Sequence, residues 1–483
     1  MGTAANDRWD RLAGFFLLVF AAALPHSISV SQTAAALALL VWAGGLLARR
    51  QRPPSTPLDL AILLFVCVAV LAAVFSLDPA LSVTKLDNVA LIAIVPLTAA
   101  LVRTRRQALI LVLVLLGSAA VGAGVVLVEK AVGRGVEVVA VAPGSPFKKR
   151  LQPRDVLQRC DGQEIRNPAH FHELLNQHNR SLPLHCEGMR AGFIPFGVTL
   201  NPKRLPAAAA PAGWGAEVKV GRSLRARGTY DHPVTYAEVL LQLTALAAGL
   251  WLAGARRWSG AGVGLLIVGL LLAGALAATF TRASWAALVV AGLAMLWMKL
   301  GWRGRIGVAV AAVVALVGLN TTLVKWRGVG FYNPADTSIQ YRLLMWEDGW
   351  RLIREHPLLG VGMDSVLTHW QELGLRAYQQ FGLQSHFHST PIQLGVERGL
   401  VGLAAWLLLM GLYLRLLLRL LQRTRNAADG GERGLALGLF GAAVGFLASG
   451  LVHYNFGDSE VVMVFWFLAG VAVALDRLAC APA

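Results

Sequence analysis

The sequence has little charge for its length, and most of that charge has one sign. Charged residues make up 15% of the 483 residues, hydrophobic residues make up 56%, and the mean hydropathy is +0.58. Soluble domains carry about 25% charged residues, so the composition excludes an ordinary soluble protein. Lys and Arg outnumber Asp and Glu by 44 to 27. Because these basic residues are not interleaved with aromatic ones, we expect no nucleic-acid partner.

Cysteine is also scarce, and the four cysteines lack the spacing of a metal site. Cys67 lies in an apolar run and Cys480 lies near the end of the chain. Cys160 and Cys186 share one long polar segment, and we hypothesise a disulfide between them. The long loops contain no Asp-x-Asp element and no His/Asp cluster with ligand spacing. We therefore expect neither a metal nor a cofactor.

Apolar runs long enough to cross a bilayer recur along the chain. A membrane helix needs roughly 20 apolar residues, and about twelve segments qualify on that criterion. They are 12–29, 31–48, 59–76, 88–102, 107–129, 235–255, 260–279, 283–299, 306–323, 391–414, 434–452 and 460–476. Only a weak polar break near Pro25-His26 separates the first two. The sequence therefore predicts an all-α polytopic membrane protein with about twelve transmembrane helices.

Short loops rich in Arg and Lys indicate the orientation of these helices. The basic groups that begin at Arg49, Arg103, Arg256 and Arg415 fall on one side of the membrane when the helices are counted as above. Basic short loops remain in the cytoplasm, so both termini are expected there. The long loops 130–234 and 324–390 are then expected on the outer side.

The first long loop has the pattern of a small α+β domain over residues 131–205. Alternating strands, a helix over 168–177, and turns at Pro143-Gly144-Ser145-Pro146 and Asp161-Gly162 follow one another. This order resembles a PDZ domain, which binds extended peptides by strand addition and so implies a periplasmic protein partner. A Gly-Leu-Gly-Phe-type loop is not evident, and a structural spacer is the alternative. Residues 206–234 are predicted to be a linker, with a Pro/Ala-rich part at 206–215.

The second long loop, 324–390, is predicted to be helical. Apolar residues recur at three- and four-residue spacing from Ile339 to Ile353, which predicts a helix over 339–355. A second helix is expected over 365–380, after the turn Leu359-Gly360-Val361-Gly362. The loop ends in the run His386-Phe387-His388-Ser389, just before an apolar segment. Imidazoles at such a membrane edge are typical of a catalytic or transport site, and the alternative is a pair of solvated histidines.

Two arginines on the outer side are the other candidate site residues. Arg282 begins an apolar segment, where the helix dipole disfavours a cation. It could contact lipid phosphates, or it could hold a substrate anion together with nearby amide groups. Arg342 lies on the predicted loop helix, where a solvated role is the alternative to anion binding. His453 and Asp458 are weaker candidates.

The order of these residues resembles the O-antigen ligase family. An Arg at a span start and a second Arg on a loop helix precede His388-Ser389, and Gly399-Leu400-Val401-Gly402 follows after nine residues. The strongest part of the resemblance runs from Arg342 through His356-Pro357 to His388. It covers 235–476 most clearly. The same signature occurs in O-antigen polymerases and in bacterial O-linked oligosaccharyltransferases.

The resemblance implies a GT-C-like glycosyltransferase in the bacterial inner membrane, with a periplasmic active site. Such enzymes move a glycan from undecaprenyl diphosphate to an acceptor hydroxyl, without a metal and with inversion. The donor and membrane lipids are therefore expected partners. The expected acceptor is a lipid A-core sugar, with another glycan or a protein hydroxyl as alternatives. The small PDZ-like domain departs from the simplest members of the family.

The resemblance also assigns roles to individual residues. His388 is expected to be the general base, and Arg282 and Arg342 are expected to bind the diphosphate. His386 could orient His388, contact the acceptor or be a surface histidine. Arg398 could contact lipid phosphate or simply pair with a nearby charge.

Two other function classes remain as alternatives. A proton-coupled transporter or flippase also fits membrane-edge Arg and His residues, although the two halves of this chain show no repeat symmetry. A scaffold would use the PDZ-like domain alone. The predicted organisation has transmembrane helices at 1–130, 235–323 and 391–483, the last with a cytoplasmic tail. The PDZ-like domain (131–205), the linker (206–234) and the catalytic loop (324–390) lie between them.

Overall fold

The computed structural model describes residues 2–142, 149–178, 182–190, 192, 194–200, 216–254, 258–327, 337–382, 386–426 and 430–480. Helices α1 to α18 run over Gly2–Ala23, Ile28–Arg49, Asp59–Val74, Pro79–Thr84, Leu86–Ala90, Ile94–Leu101, Arg105–Val132, Pro168–Gln177, Pro233–Ala253, Gly260–Ala278, Arg282–Lys299, Trp302–Arg327, Thr337–Glu355, Ser365–Thr368, Arg376–Phe381, Thr390–Arg423, Gly430–Gly450 and Ser459–Cys480. The chain forms two compact units. The larger comprises Met1–Ala120, Ala237–Ala273 and Thr281–Ala483, and the smaller comprises Val121–Tyr236 and Gly274–Phe280.

The protein is a multi-pass helical membrane protein. Within the described residues, 8 helices are long and apolar enough to cross a membrane. They overlap eight of the twelve predicted segments, which leaves four. Those four, 12–29, 59–76, 283–299 and 306–323, also contain helices, namely α1, α3, α11 and α12. The number of twelve stays a prediction. The short predicted segment 88–102 lies in a broken span, Pro79–Leu101, in which a 3-10 turn at Leu91–Ala93 separates α5 from α6.

Small residues bring two membrane helices of the larger unit into close contact. A Cβ on Gly249 of α9 would lie 2.2 Å from the Cα of Gly438 of α17. A Cβ on Gly438 would in turn lie 2.5 Å from the carbonyl oxygen of Leu246. Membrane helices use small residues in this way because lipid provides no hydrophobic force between them. The contact holds α9 and α17 backbone to backbone.

The smaller unit contains an antiparallel sheet. Strands β1 to β6 run over Val136–Val141, Val156–Cys160, Gln163–Glu164, Leu184–Arg190, Ile194–Leu200 and Ala216–Val220. Their order is β5-β4-β2-β1-β6, and β3 pairs with β2. The predicted helix 168–177 is confirmed as α8. Strand β6 lies within the predicted linker 206–234, and the Pro/Ala-rich part of that linker, 206–215, lies outside the described residues.

A disulfide and an apolar core stabilise this sheet. Cys160 of β2 and Cys186 of β4 are register partners and form the hypothesised disulfide. Phe171 of α8 is fully buried against Val136 and Leu157 of the sheet. Burial of such apolar side chains is the main favourable term in folding. The unit therefore has a core of its own.

Of the two helices predicted after residue 336, one is present in the structure and the other is not. The predicted helix 339–355 is confirmed as α13, Thr337–Glu355. The predicted single helix 365–380 is wrong, because the chain forms α14 and α15 with an irregular segment between them. Gly374 has a φ of +60° in that segment, a conformation that favours glycine and ends helical structure. The break turns α15 back onto α13.

Candidate functional site

Helix α16 is two helices joined at a glycine. Gly399 has φ 65° and ψ −173° inside Thr390–Arg423, so a short segment, 390–398, precedes the long one. A break of this kind leaves carbonyl and amide groups without helical partners. The turn after α13 supplies partners for them: the Val361 and Gly362 amides donate to the carbonyls of residues 396 and 397, at 2.8 and 3.0 Å. The turn 359–362 and the helix break at Gly399, two glycine-containing motifs of the sequence, therefore supply hydrogen-bond partners for each other's backbone groups.

His388 lies directly in front of the short segment of α16. Its φ is +51°, which costs a non-glycine residue about 1–3 kcal/mol. Neighbouring contacts hold the turn in this conformation. The Phe387 amide donates to Oε1 of Gln393 at 2.6 Å, and Nε1 of Trp346 donates to the Phe387 carbonyl at 3.1 Å. Phe387 itself is fully buried. The strained position is therefore set by both α13 and α16.

The imidazole of His388 is largely buried beside two other rings. The ring centre of His386 lies 4.2 Å away and that of Tyr341 lies 5.5 Å away. Burial, together with the smaller effects of the nearby His386, Arg342 and His453, lowers the pKa of His388 to about 2. The imidazole is therefore neutral at physiological pH, so it can accept a proton.

Three buried polar atoms at this site have no hydrogen-bond partner within the described part of the chain. They are Nδ1 of His388 and the hydroxyls of Tyr341 and Tyr378. An unsatisfied buried polar group costs about 1–3 kcal/mol, so native structures rarely leave one without a reason. Burial also raises the pKa of both tyrosines above the usual range. The hydroxyls therefore stay protonated and can donate hydrogen bonds to a ligand.

Tyr378 reaches this place because a buried carboxylate holds α15 against α13. Asp348 is fully buried, accepts from the Ala377 amide at 3.1 Å, and accepts from Nε of Arg376 at 2.9 Å. This hydrogen bond to Asp348 raises the pKa of Arg376, which therefore stays charged. Neither tyrosine was predicted from the sequence. An aromatic residue next to a predicted site arginine, Tyr341 beside Arg342, is the signal that could have identified one of them.

The structure brings Arg342, His386 and His388 together. Arg342 lies on α13 next to Tyr341, is half-buried, and is near enough to His388 to lower the pKa of the imidazole. His386 lies against His388, and its Nδ1 accepts from the His388 amide at 3.3 Å. His386 therefore contacts His388, and its role stays a prediction.

Arg282 is connected to the same region through a chain of hydrogen bonds. It is the first residue of α11, and two residues later Oγ of Ser284 donates to Oε1 of Glu238 at 2.8 Å. Oε2 of Glu238 accepts from Nδ2 of Asn455 at 3.1 Å. Oδ1 of Asn455 accepts from Oγ1 of Thr390 at 3.0 Å, and Thr390 begins α16. The starts of α11 and α16 are thus linked.

Arg398 has the second of its two expected environments, a nearby charge. It is 3% exposed, and its Nη1 lies 3.5 Å from Oε2 of Glu397. Its Nη2 donates to Sδ of Met363 at 3.0 Å, and its guanidinium lies over the ring of Phe65 at 5.7 Å. Glu397 also accepts from Gln393 at 2.7 Å. This ion pair therefore supports the side chain that holds the Phe387 amide.

Metal-ligating residues do not cluster at this site. Over the ranges that the structure describes, no group of three or more His, Cys, Asp or Glu side chains could hold a metal ion. Absence of a metal from the reaction stays a prediction.

A comparison with protein-family models identifies the region that contains these residues. Residues 267–407 match the family described as O-antigen ligase (Wzy_C). The match includes Arg282, Arg342, His388 and Arg398 but not the sheet of the smaller unit, whose PDZ-like identity stays a prediction. No curated protein matches the chain. Residues 267–407 thus match an O-antigen ligase domain, the resemblance that the motifs of this region predicted.

Proposed function

We propose that this chain transfers a glycan from undecaprenyl diphosphate to an acceptor hydroxyl at the periplasmic face of the bacterial inner membrane. One observation carries the proposal. Within the segment that matches the O-antigen ligase family, buried polar atoms of His388, Tyr341 and Tyr378 lack partners among the described residues, and the first two of these side chains lie near the cation of Arg342. A glycan attached to a diphosphate has the hydroxyls and negative charge that would satisfy such a site.

Arg342 and Arg282 bind the diphosphate in this proposal. A guanidinium offers a planar fork of donors that matches two phosphate oxygens. As the glycosidic bond breaks, negative charge grows on the leaving diphosphate. Fixed cations stabilise that charge in the transition state, an effect of about 3–4 kcal/mol for one donor in other enzymes.

His388 is the general base. The acceptor oxygen attacks the anomeric carbon, the bond from that carbon to the phosphate oxygen breaks, and the diphosphate leaves with the electron pair. The acceptor proton passes to the neutral imidazole. The bound diphosphate also strengthens this base, because a nearby anion raises the pKa of His388 and opposes the effects of burial and Arg342. Attack opposite to the leaving group inverts the anomeric centre.

Tyr341 and Tyr378 orient the sugar in this account. Their hydroxyls remain protonated, because burial raises the pKa of both groups. Each can donate a hydrogen bond to a sugar oxygen, and each ring offers an apolar face to the sugar. Holding the sugar in a reactive orientation lowers the entropic part of the barrier.

The acceptor that we propose is a lipid A-core sugar, which makes the chain a ligase. A polymerase would use the end of another glycan, and a protein O-oligosaccharyltransferase would use Ser or Thr, with the same donor and base. The smaller unit, whose core is independent, is then the place where a periplasmic protein partner would bind. Proton-coupled transport is the alternative that needs no acceptor.

Glycan transfer by the purified full chain tests the proposal. The chain is reconstituted with a lipid-diphosphate glycan donor and a lipid A-core acceptor. His388→Ala is expected to lower the transfer rate by about two to four orders of magnitude, the usual contribution of a general base. His232→Ala is the control, because His232 is exposed in the smaller unit. Near-normal transfer by His388→Ala contradicts the assigned base, and loss of transfer on chelation contradicts a metal-free reaction.

The acceptor is identified in cells. We expect a strain that lacks the protein to lose all long lipopolysaccharide chains while lipid-linked polymer accumulates. Lipopolysaccharide with a single repeat unit would instead identify a polymerase. Normal lipopolysaccharide with loss of glycan from proteins would identify a protein transferase.

A further inference from the structure

Glu238 is a buried acid in an otherwise apolar membrane helix. It lies on α9, is 1% exposed, and is the only charged residue between Pro233 and Ala253. It lies outside the segment 267–407 that matches the ligase family. A carboxyl group in such a place is costly to bury, so it persists where it has a specific task.

Three elements of the larger unit donate to this one carboxyl group. Oγ of Ser284 on α11 donates to Oε1 at 2.8 Å, and Oγ of Ser449 on α17 donates to the same oxygen. Nδ2 of Asn455 donates to Oε2 at 3.1 Å. Within the described ranges no Lys or Arg forms an ion pair with Glu238. Neutral donors alone hold the group, so its position is defined by hydrogen-bond geometry rather than by a countercharge.

Two of these donors, Ser284 and Asn455, lie close in sequence or by a hydrogen bond to residues of the candidate site. Ser284 follows Arg282 by two residues in the first turn of α11. Asn455 accepts from Thr390, which follows His388 by two residues. The amide and hydroxyl of Thr390 also donate to the carbonyl of His453, both at 3.1 Å. Glu238 therefore links, through hydrogen bonds, the helix start that carries Arg282 and the helix start that follows His388.

We propose that Glu238 is a positioning residue that fixes the start of α11 relative to the start of α16, and so sets the separation between Arg282 and His388. The expected effect on the reaction rate rests on the proposed glycan transfer. The tether, meaning the hydrogen bonds that join Ser284, Glu238, Asn455 and Thr390, does not. Glu238 touches neither reactant in this scheme. Its effect is on the rate at which a bound donor reacts, because small misplacements of reacting groups slow catalysis strongly.

Hydrogen-bond chemistry explains why the residue is an acid and not an amide. A carboxylate accepts at both oxygens and so serves the two serines and the asparagine. In one orientation, glutamine at 238 would turn an N–H₂ donor toward Nδ2 of Asn455, and two donors would face each other. Flipping the Asn455 amide would remove that contact. Nδ2 of Asn455 would then face the Thr390 hydroxyl, which now donates to Oδ1. In the other orientation the amide oxygen accepts from Asn455, but the N–H₂ group replaces the oxygen to which both serine hydroxyls now donate, so those hydroxyls must reverse and accept. Glu238→Gln therefore disturbs the link in either orientation while keeping size and shape.

Two variants of α9 provide the experiment. Glu238→Gln is compared with Thr244→Val, which removes a buried hydroxyl of the same helix that has no partner in the described ranges. We expect Glu238→Gln to lower kcat about 10- to 100-fold and to leave the KM for the donor within about threefold. Thr244→Val should match the unmodified protein. Transfer by Glu238→Gln within twofold of the unmodified protein overturns the proposal.

Rescue separates positioning from a general loss of structure. In Glu238→Gln/Asn455→Asp, the amide introduced at position 238 can donate to the acid introduced at position 455, which still accepts from Thr390. We expect kcat to recover at least about fivefold over the single variant, since the link is restored. A double variant slower than Glu238→Gln alone and Asn455→Asp alone shows that the link does not set the rate.

Hydrogen–deuterium exchange measures the tether without any activity. We expect Glu238→Gln to speed amide exchange in both 282–290 and 386–394, and Thr244→Val to change neither. Unchanged exchange in both segments overturns the tether even if transfer falls. If exchange rises but the unmodified protein transfers no glycan, the tether stands and the proposed function fails.

Discussion

The break in α16 at Gly399 can be tested by adding one methyl group. The φ and ψ of Gly399, 65° and −173°, belong to a region that is essentially restricted to glycine and that costs another residue about 1–3 kcal/mol. A Cβ at this position would also lie 2.1 Å from the Leu358 carbonyl oxygen, which must move. Its movement would weaken the bond from the Leu400 amide to the Pro357 carbonyl, now 2.7 Å, at a cost of about 1 kcal/mol. Gly399→Ala should therefore destabilise the protein by about 2–4 kcal/mol.

Gly411 of the same helix is the matched control. A Cβ there meets no atom within 4 Å, and alanine in a helix interior is favoured over glycine by about 0.5–1 kcal/mol. Thermal unfolding of both variants in detergent gives the comparison. We expect Gly399→Ala to unfold at least about 2 °C below the unmodified protein, and Gly411→Ala to unfold at or above it. Equal melting temperatures would mean that α16 is not broken at residue 399.

Two further predictions concern the candidate site. The pKa of His388 is lowered to about 2 in the folded protein, whereas it is about 6.5 in the unfolded chain. Because only the unfolded chain binds the proton in this range, the stability contributed by His388 is present above about pH 6.5 and is lost as the pH falls. Between pH 7 and pH 5 the loss is about 2 kcal/mol. His388→Gln should therefore unfold with less acid sensitivity in detergent melts at the two pH values, and equal sensitivity would refute the low pKa. Arg282→Lys should slow glycan transfer at least about tenfold, because a point charge does not replace a fork of donors; Arg303→Lys, on an exposed residue of α12, is the control, and equal rates for the two variants would remove Arg282 from the site.

The sequence was most informative where the pattern is local. The helical periodicity from Ile339 to Ile353 and the apolar runs depend on residues a few positions apart. The first prediction matches α13, and eight of the twelve predicted spans overlap helices of the described residues that are long and apolar enough to cross a membrane. The single helix expected over 365–380 failed because periodicity does not reveal a break at Gly374. The break at Gly399 was likewise hidden, because its amide and carbonyl partners come from a turn about 40 residues earlier in the chain.

Contacts between distant residues account for what the sequence analysis missed at the site. Tyr341 meets His388 across 47 positions, and Glu238 meets Asn455 across 217. Such pairs depend on how helices pack, which no spacing rule encodes. One signal for Glu238 was available: an acidic residue alone in a membrane helix is a functional candidate by default.

The most direct measurement is an experimental density map of the full chain with a non-reactive lipid-diphosphate glycan bound. We expect the diphosphate within hydrogen-bond distance of Arg342 and Arg282, with the anomeric carbon facing the imidazole of His388. Density for the diphosphate beside Arg398, or with His388 directed away from the sugar, would contradict the proposed site.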